Sequence, residues 1–152
     1  MSRLLGLDIG EKRIGVAVSD PGRRVATPLT VLDAARVRAD ARELIRLIDQ
    51  YEASGLIVGL PLTLSGEEGP QARRVRESIG RLAQFLPVPV SFVDERLTSS
   101  EAGRRMREAG LTEKQQRGSK DMVAAAILLQ AYLDESHEEH DDAEADGGAN
   151  TR

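Results

Sequence analysis

The chain has 152 residues, of which 40% are hydrophobic and 30% charged, a composition typical of one globular domain with its own core. It contains no cysteine, which excludes disulfides, thiolate metal sites and cysteine nucleophiles. No run of residues approaches the roughly 20 apolar positions that span a bilayer, and no secretory signal opens the chain, so we expect a cytoplasmic protein without a membrane partner.

The formal charge of −4 is unevenly distributed, because residues 136–152 hold six acids and one arginine. This segment cannot bury enough apolar surface to fold, and we predict a folded domain at 1–135 followed by a disordered acidic tail at 136–152. His137 and His140 in the tail have a spacing that suits a metal, but a solvated acidic tail favours no such role. The nearly neutral domain permits nucleic acid as a partner without requiring it.

The first half of the chain alternates apolar runs with turn residues. The runs at 3–9 and 14–20, separated by a turn that Gly10 opens, predict an antiparallel hairpin. The stretch 24–32 supplies a third, edge-type strand, because Pro28 limits its pairing. Apolar positions at helical spacing then predict one helix from about Ala34 to Tyr51.

The second half predicts two more strands and three more helices. The continuous apolar run "GLIVGLP" suits a central parallel strand, and a helix and the strand "VPVSFVDE" follow it. A capping box from Thr98 to Glu101 starts a helix that ends near Gly110, and a buried helix runs from Asp121 to about Glu135. This order predicts an α/β fold with a five-stranded mixed sheet, an N-terminal antiparallel hairpin and flanking helices.

Three acids occupy places that require an explanation. Asp8 interrupts the first apolar strand, Glu95 follows the fifth strand beside Asp94, and Asp121 begins the buried last helix. Asp121 alone fits a helix cap, and the strand-end acids alone fit an ion pair with Arg96, whereas a carboxylate inside a strand is costly to bury. Together they are typical of a site for one or two Mg²⁺ or Mn²⁺ ions that promote phosphodiester hydrolysis.

Four blocks of the chain, "GLDIGEKRIGVAVSD", "LIVGLPLTLSG", "FVDERLTSSEA" and "KDMVAAAILLQAYL", resemble in order and spacing the signature blocks of the YqgF/RuvX family. The resemblance runs from about Leu4 to Leu133. It implies an RNase H-like fold and a cytoplasmic nuclease, described for the family either as a pre-16S rRNA nuclease in ribosome biogenesis or as a Holliday junction resolvase.

The resemblance also implies roles for particular residues. The family's metal-binding acids fall on Asp8, Glu95 and Asp121, which would be the catalytic residues, with Asp94 as a less certain neighbour. The positions implied to contact nucleic acid, together with the basic residues of the polar stretch before Asp121, are Gly10, Lys12, Arg13, Thr63, Arg96, Lys114, Arg117 and Lys120. Thr63 departs from the family, since many members have asparagine there and a hydroxyl has less reach.

Other interpretations remain open from the sequence. The arginines at 73, 74, 76 and 81, and those at 104, 105 and 107, form either solvated helix faces or a phosphate track leading to the acids. An Asp-x-Gly hairpin also occurs in nucleotide-binding folds, which need far longer chains. A non-catalytic nucleic-acid-binding module gains nothing from carboxylates beside phosphates. The chain is expected to act as a monomer on structured RNA such as precursor rRNA, or as a homodimer on branched DNA.

Overall fold

The computed structural model describes residues 2–96 and 120–147, with side chains of the last helix described through His137. Five strands and four helices make up this part of the chain. They are β1 (Arg3–Ile9), β2 (Arg13–Ser19), β3 (Ala26–Asp33), α1 (Ala34–Ala39), α2 (Arg42–Gln50), β4 (Ala53–Leu60), α3 (Pro70–Ala83), β5 (Val90–Asp94) and α4 (Lys120–Gly147).

The strands form one mixed sheet in the order β3-β2-β1-β4-β5. The pairs β1–β2 and β2–β3 are antiparallel, while β4 lies parallel to both β1 and β5. The central strands β1 and β4 are buried along most of their length, as their continuous apolar runs predict for strands covered on both faces. The predicted α/β class, five-stranded mixed sheet and N-terminal hairpin are confirmed.

Helices cover both faces of the sheet. Leu5 and Leu7 of β1 belong to the core shared with α1, α2 and α3, whereas Leu4 packs with Leu129 and its neighbours in α4. Side chains alternate along a strand, so even-numbered positions of β1 face α4. Asp8 therefore points to the α4 side of the sheet, at the end of its strand.

The single helix predicted from Ala34 to Tyr51 is wrong, because the structure breaks it at Asp40 into α1 and α2. Asp40 has an extended backbone, and its carboxylate accepts hydrogen bonds from the backbone N–H and the guanidinium of Arg42. An aspartate competes for nearby backbone donors and thereby favours a helix boundary over a helix interior. Hydrophobic spacing alone carries no information about that competition.

The last helix continues to Gly147, past the end predicted near Glu135. Once α4 is packed on the sheet, adding alanine and glutamate residues to its end costs little, since both are good helix formers. The predicted tail thus begins inside a helix, while the division of the chain at residue 135 stays a prediction. No helix within residues 2–96 and 120–147, α4 included, is both long and apolar enough to cross a membrane. The helix predicted from Thr98 lies outside the described residues.

Candidate active site

The sheet topology brings two of the three predicted acids to one edge. Because β1, β4 and β5 are parallel, their carboxyl ends meet there, with Asp8 near the end of β1 and Glu95 directly after β5. Although β4 lies between them, the Glu95 and Asp8 side chains are joined by a hydrogen bond. The structure thus brings together two of the three acids that the sequence singles out.

A glycine in β4 makes room for this contact. A Cβ atom at Gly59 would lie 2.6 Å from Oε1 and 2.9 Å from Cγ of Glu95, and 2.9 Å from Cδ2 of Leu128. Glu95 therefore reaches Asp8 by crossing over a position that carries no side chain. Our sequence interpretation missed Gly59, although a glycine inside a buried strand is a recognised sign of close approach.

A second glycine sets the position of Asp121. Gly15 of β2 pairs with Asp8 in the hairpin, and a Cβ atom there would lie 1.9 Å from the backbone oxygen of Asp121. The first turn of α4 thus rests directly on the backbone of β2. This contact brings Asp121 close enough for its negative charge to raise the pKa of Asp8.

The electrostatics of the Asp8–Glu95 pair are those of two carboxyl groups that share a proton. Burial is the main cause that raises the pKa of Asp8, followed by the charge of Asp121, while the hydrogen bond from Glu95 lowers it. Burial and then the charge of Asp8 raise the pKa of Glu95 to about 7. The proton accordingly resides on Glu95, which donates to the Asp8 carboxylate.

Asp121 is balanced by an arginine. Nε of Arg13, at the start of β2, donates to Oδ2 of Asp121 over 2.9 Å, with the Arg13 side chain 64% exposed. The resemblance implies that Arg13 contacts a phosphate, and the structure places it on a predicted metal ligand instead. An ion pair this exposed is weak and easily exchanged.

The three acids fit a divalent cation by their chemistry rather than by a finished geometry. Within the described ranges, no group of three histidine or acidic side chains is arranged so that it could hold a metal ion. Instead, one proton and one guanidinium offset the negative charge of the three carboxylates. Hard carboxylate oxygens are the ligands that Mg²⁺ and Mn²⁺ prefer, and a dication would take over both compensating roles.

The fourth acid of the region, Asp94, is committed elsewhere. Its carboxylate accepts hydrogen bonds from Nε and Nη2 of Arg96 at 2.6–3.1 Å, and these bonds lower its pKa. The Arg96 guanidinium also donates to the backbone oxygen of Leu64 over 3.3 Å and lies against Gly66, whose φ is 86°. Asp94 and Arg96 therefore tie the β4–α3 loop to the end of β5.

Thr63 lies in that same loop and uses its hydroxyl within it. Oγ1 of Thr63 is 3.0 Å from Oγ of Ser65 and accepts a hydrogen bond from the backbone N–H of Glu67. The backbone N–H of Thr63 donates to the Glu67 oxygen, which closes the turn. The hydroxyl implied to contact nucleic acid is thus engaged in holding the loop.

The remaining predicted contacts are distributed as follows. Gly10 and Lys12 lie in the exposed β1–β2 turn, which the Gly10 N–H closes by donating to the Arg13 oxygen, and Lys120 is exposed at the start of α4. Lys114 and Arg117 lie outside the described residues. His137 lies far along α4 from Asp121, where its Nε2 is 2.6 Å from the backbone oxygen of Arg23.

Comparison with known proteins identifies relatives over nearly the whole domain. A family model described as "RuvX: Holliday junction resolvase" matches residues 2–135. A Roseiflexus protein is 44% identical over 132 residues, which cover 87% of this chain and 94% of the relative. An Anaeromyxobacter protein is 42% identical over 135 residues, covering 89% and 98%. Both relatives carry the name "Putative pre-16S rRNA nuclease".

Solved structures share the architecture at much lower identity. RuvC of Thermus thermophilus in complex with a Holliday junction substrate has a TM-score of 0.56 at 14% identity, covering 86% of this chain and 92% of that one. The fowlpox virus Holliday junction resolvase has a TM-score of 0.53 at 14% identity, with 88% and 99% covered. At this identity the likeness shows the fold alone, and it confirms the predicted RNase H-like architecture.

Proposed function

Since the chain belongs to the RuvX family, we propose that it is a nuclease whose active site is the sheet edge where Asp8, Glu95 and Asp121 meet. The observation that carries this proposal is the close approach of three acids, in which the Asp8 and Glu95 side chains are hydrogen-bonded and Asp121 is near enough for its charge to act on Asp8. Carboxylates held this close repel one another and are typical of a site that a metal cation completes. Pre-16S rRNA is the proposed substrate, because the curated relatives carry that name at about 44% identity.

Asp8, Glu95 and Asp121 would hold one or two Mg²⁺ or Mn²⁺ ions. Such an ion, when bound, supplies a water nucleophile at neutral pH and neutralises charge on the scissile phosphate. Asp8 is the fixed point of the site, because it belongs to a central strand, while Glu95 enters over Gly59. No nucleophile from the protein is required for this reaction.

The basic groups around the acids would hold the substrate. Arg13 is already at the site through Asp121, and its exposed guanidinium can exchange that carboxylate for a phosphate oxygen when Asp121 binds a cation. Lys12 and Lys120 are exposed, and each directly precedes one member of this ion pair in the chain. Gly10 lies in the same turn as Lys12, where a Cβ atom would be 2.7 Å from the backbone oxygen of Arg13. We place the activity in the cytoplasm.

Metal affinity is expected to follow the titration of Glu95. The Glu95 proton must leave before its carboxylate binds a cation, so Mn²⁺ affinity should rise by about 10-fold between pH 6 and pH 8 and level off above. The same raised pKa has the opposite effect on the metal-free protein. Its folded state binds more protons than the unfolded chain between the ordinary pKa of a glutamate and about 7, so its stability falls as pH rises through this window.

Calorimetric titration with Mn²⁺ across this pH range checks the expectation. In Glu95→Gln, where the titrating group is absent, the rise should disappear and the affinity should be low at every pH. An affinity that stays constant from pH 6 to pH 8 in the wild-type protein would contradict the shared proton.

The proposed substrate is tested by direct competition between nucleic acids. Labelled precursor 16S rRNA, an unstructured RNA of equal length and a four-way DNA junction are incubated with Mg²⁺, Mn²⁺ or a chelator. We expect metal-dependent cleavage of the precursor RNA in preference to the other two. Cleavage confined to the junction would favour the alternative, a Holliday junction resolvase, for which the family's description is the supporting observation.

Oligomeric state provides an independent criterion. A junction resolvase cuts two strands symmetrically and is expected to bind its substrate as a two-fold homodimer, whereas RNA processing needs one copy. Sedimentation of the protein with each nucleic acid distinguishes the two cases. A stable dimer on the junction would favour the resolvase. A protein that stays monomeric on both nucleic acids would favour RNA processing.

A further inference from the structure

A groove of about 570 Å³ lies beside the β1–β2 turn, on the face of the sheet covered by α1 and α3. Its lining begins at Ile9 and Gly10, directly beyond Asp8 in the chain, and extends along α3 as far as Arg81. Asp8 points to the opposite, α4 side of the sheet, but Gly10 is only two residues, or about 7 Å of strand, beyond it, so one end of the groove is close to the proposed active site around the end of β1. None of the three acids of that site lines it.

Three arginines from two helices converge on the groove. They are Arg38 of α1 and Arg74 and Arg81 of α3. Arg74 and Arg81 are seven residues apart, hence on the same side of α3 and about 10 Å apart along its axis. Two acids, Glu11 and Glu77, also line the groove.

The structure separates the arginines of α3, which the sequence presents as one cluster. Arg76 donates to Oε1 of Glu68, and its guanidinium lies 4.6 Å from the ring centroid of Phe92. This arginine stabilises the packing of α3 against β5. Arg73 is exposed and does not line the groove, so Arg74 and Arg81 are the members of the cluster that point into it.

The arginines of the groove are held weakly. Nη1 and Nη2 of Arg38 are each 3.4 Å from the backbone oxygen of Glu11. Nη1 of Arg74 is 3.8 Å from Oε1 of the Glu11 side chain. The Glu11 side chain is 90% exposed, which makes this pairing easy to replace. Within residues 2–96 and 120–137, Arg81 makes no ion pair.

We infer that this groove binds the phosphodiester backbone of the nucleic acid on one side of the scissile bond. The planar guanidinium group of arginine matches the geometry of phosphate oxygens. Arg74 and Arg81, along one side of α3, would follow a nucleic-acid strand that leaves the active site over the β1–β2 turn. Glu11 and Glu77 offset part of the positive charge of the groove. Binding therefore depends on contacts of the individual guanidinium groups with phosphate oxygens rather than on a broad positive potential. The inference rests on the proposed function, which defines where the scissile bond lies.

Salt dependence of binding tests the groove with a matched control on the same helix. Arg74→Gln and Arg81→Gln each remove a groove cation, while Arg73→Gln removes an equal charge one position away. Fluorescence anisotropy of a labelled single-stranded RNA is measured over a salt series with chelator present, so that no metal-dependent cleavage occurs. We expect the slope of log affinity against log salt to fall by roughly 0.7 for each groove variant, and by twice that for the pair.

The inference is overturned if Arg73→Gln lowers the slope as much as the groove variants do, because α3 then presents a general basic face. It is also overturned if both groove variants keep the wild-type slope. All three positions are at the surface, and thermal unfolding verifies that the variants fold. Binding with these slopes but no cleavage in Mg²⁺ or Mn²⁺ would support the groove and contradict the nuclease proposal, so the two failures are distinguishable.

Discussion

Asp8→Asn is expected to lower the rate of metal-dependent cleavage by more than about 100-fold. Mutation of residues that only hydrogen-bond to metal ligands typically costs about 10- to 100-fold in metal affinity or activity, and loss of a ligand itself should cost more. Asp8 is the carboxylate that both Glu95 and Asp121 act upon. Asparagine has nearly the same shape and keeps an oxygen that can accept the Glu95 hydrogen bond. The fold should therefore persist while the negative charge that attracts a cation is lost.

Asp94→Asn provides the comparison for that result. Asp94 lies at the same sheet edge, but its carboxylate is bound to Arg96 rather than to the other acids. We expect a smaller loss of cleavage, with altered behaviour of the β4–α3 loop. Equal losses in the two variants, with circular dichroism and Mn²⁺ calorimetry alongside, would contradict the assignment of Asp8 as the central ligand.

Gly15→Ala is expected to destabilise the protein by at least about 3 kcal/mol, at the upper end of what overpacking costs in a core. The new Cβ atom would lie 1.9 Å from the Asp121 oxygen and 2.9 Å from the Met122 nitrogen. Both are backbone atoms, so no side-chain rotation relieves the clash and α4 must move away from β2. Any Gly15→Ala protein that still folds should also have lost its cleavage activity, because Asp121 moves with α4.

Urea unfolding of Gly15→Ala and Gly80→Ala side by side measures this effect. Gly80 lies in the exposed part of α3, and a Cβ atom there meets nothing within 4 Å. Alanine at that position should stabilise the protein by about 0.5–1 kcal/mol, because it is the better helix former. If both variants unfold at the wild-type urea concentration, the close contact between α4 and β2 is absent in solution.

Much of the sheet was predictable, because its signals are local. The apolar runs of β1 and β4 and the turn between β1 and β2 identify strands without knowledge of their partners. Asp8 was predictable for the same reason, since an acid between Leu7 and Ile9 conflicts with its neighbours. The break at Asp40 was missed because helical spacing continues across it and only the backbone donors near the aspartate decide the boundary.

The geometry that makes the acids act together was not predictable from patterns. A glycine in a buried strand indicates some close approach, but the sequence does not show that α4 approaches Gly15 and that Glu95 approaches Gly59. Similarly, nothing in the sequence pairs Arg13 with Asp121, which are 108 positions apart. Contacts of this kind depend on how the helices lie on the sheet, a tertiary property that residue spacing does not encode.

The placement of Asp121 on the last helix has a consequence for synthesis of the chain. All five strands, with Asp8 and Glu95, are translated before α4, and N-terminal segments generally fold first. Until α4 is synthesised, Leu4 and Ile57 lack the helix against which they pack, and the third acid is missing. A growing chain therefore lacks one acid of the proposed active site until α4 has been synthesised, and we expect no metal-dependent cleavage before that point.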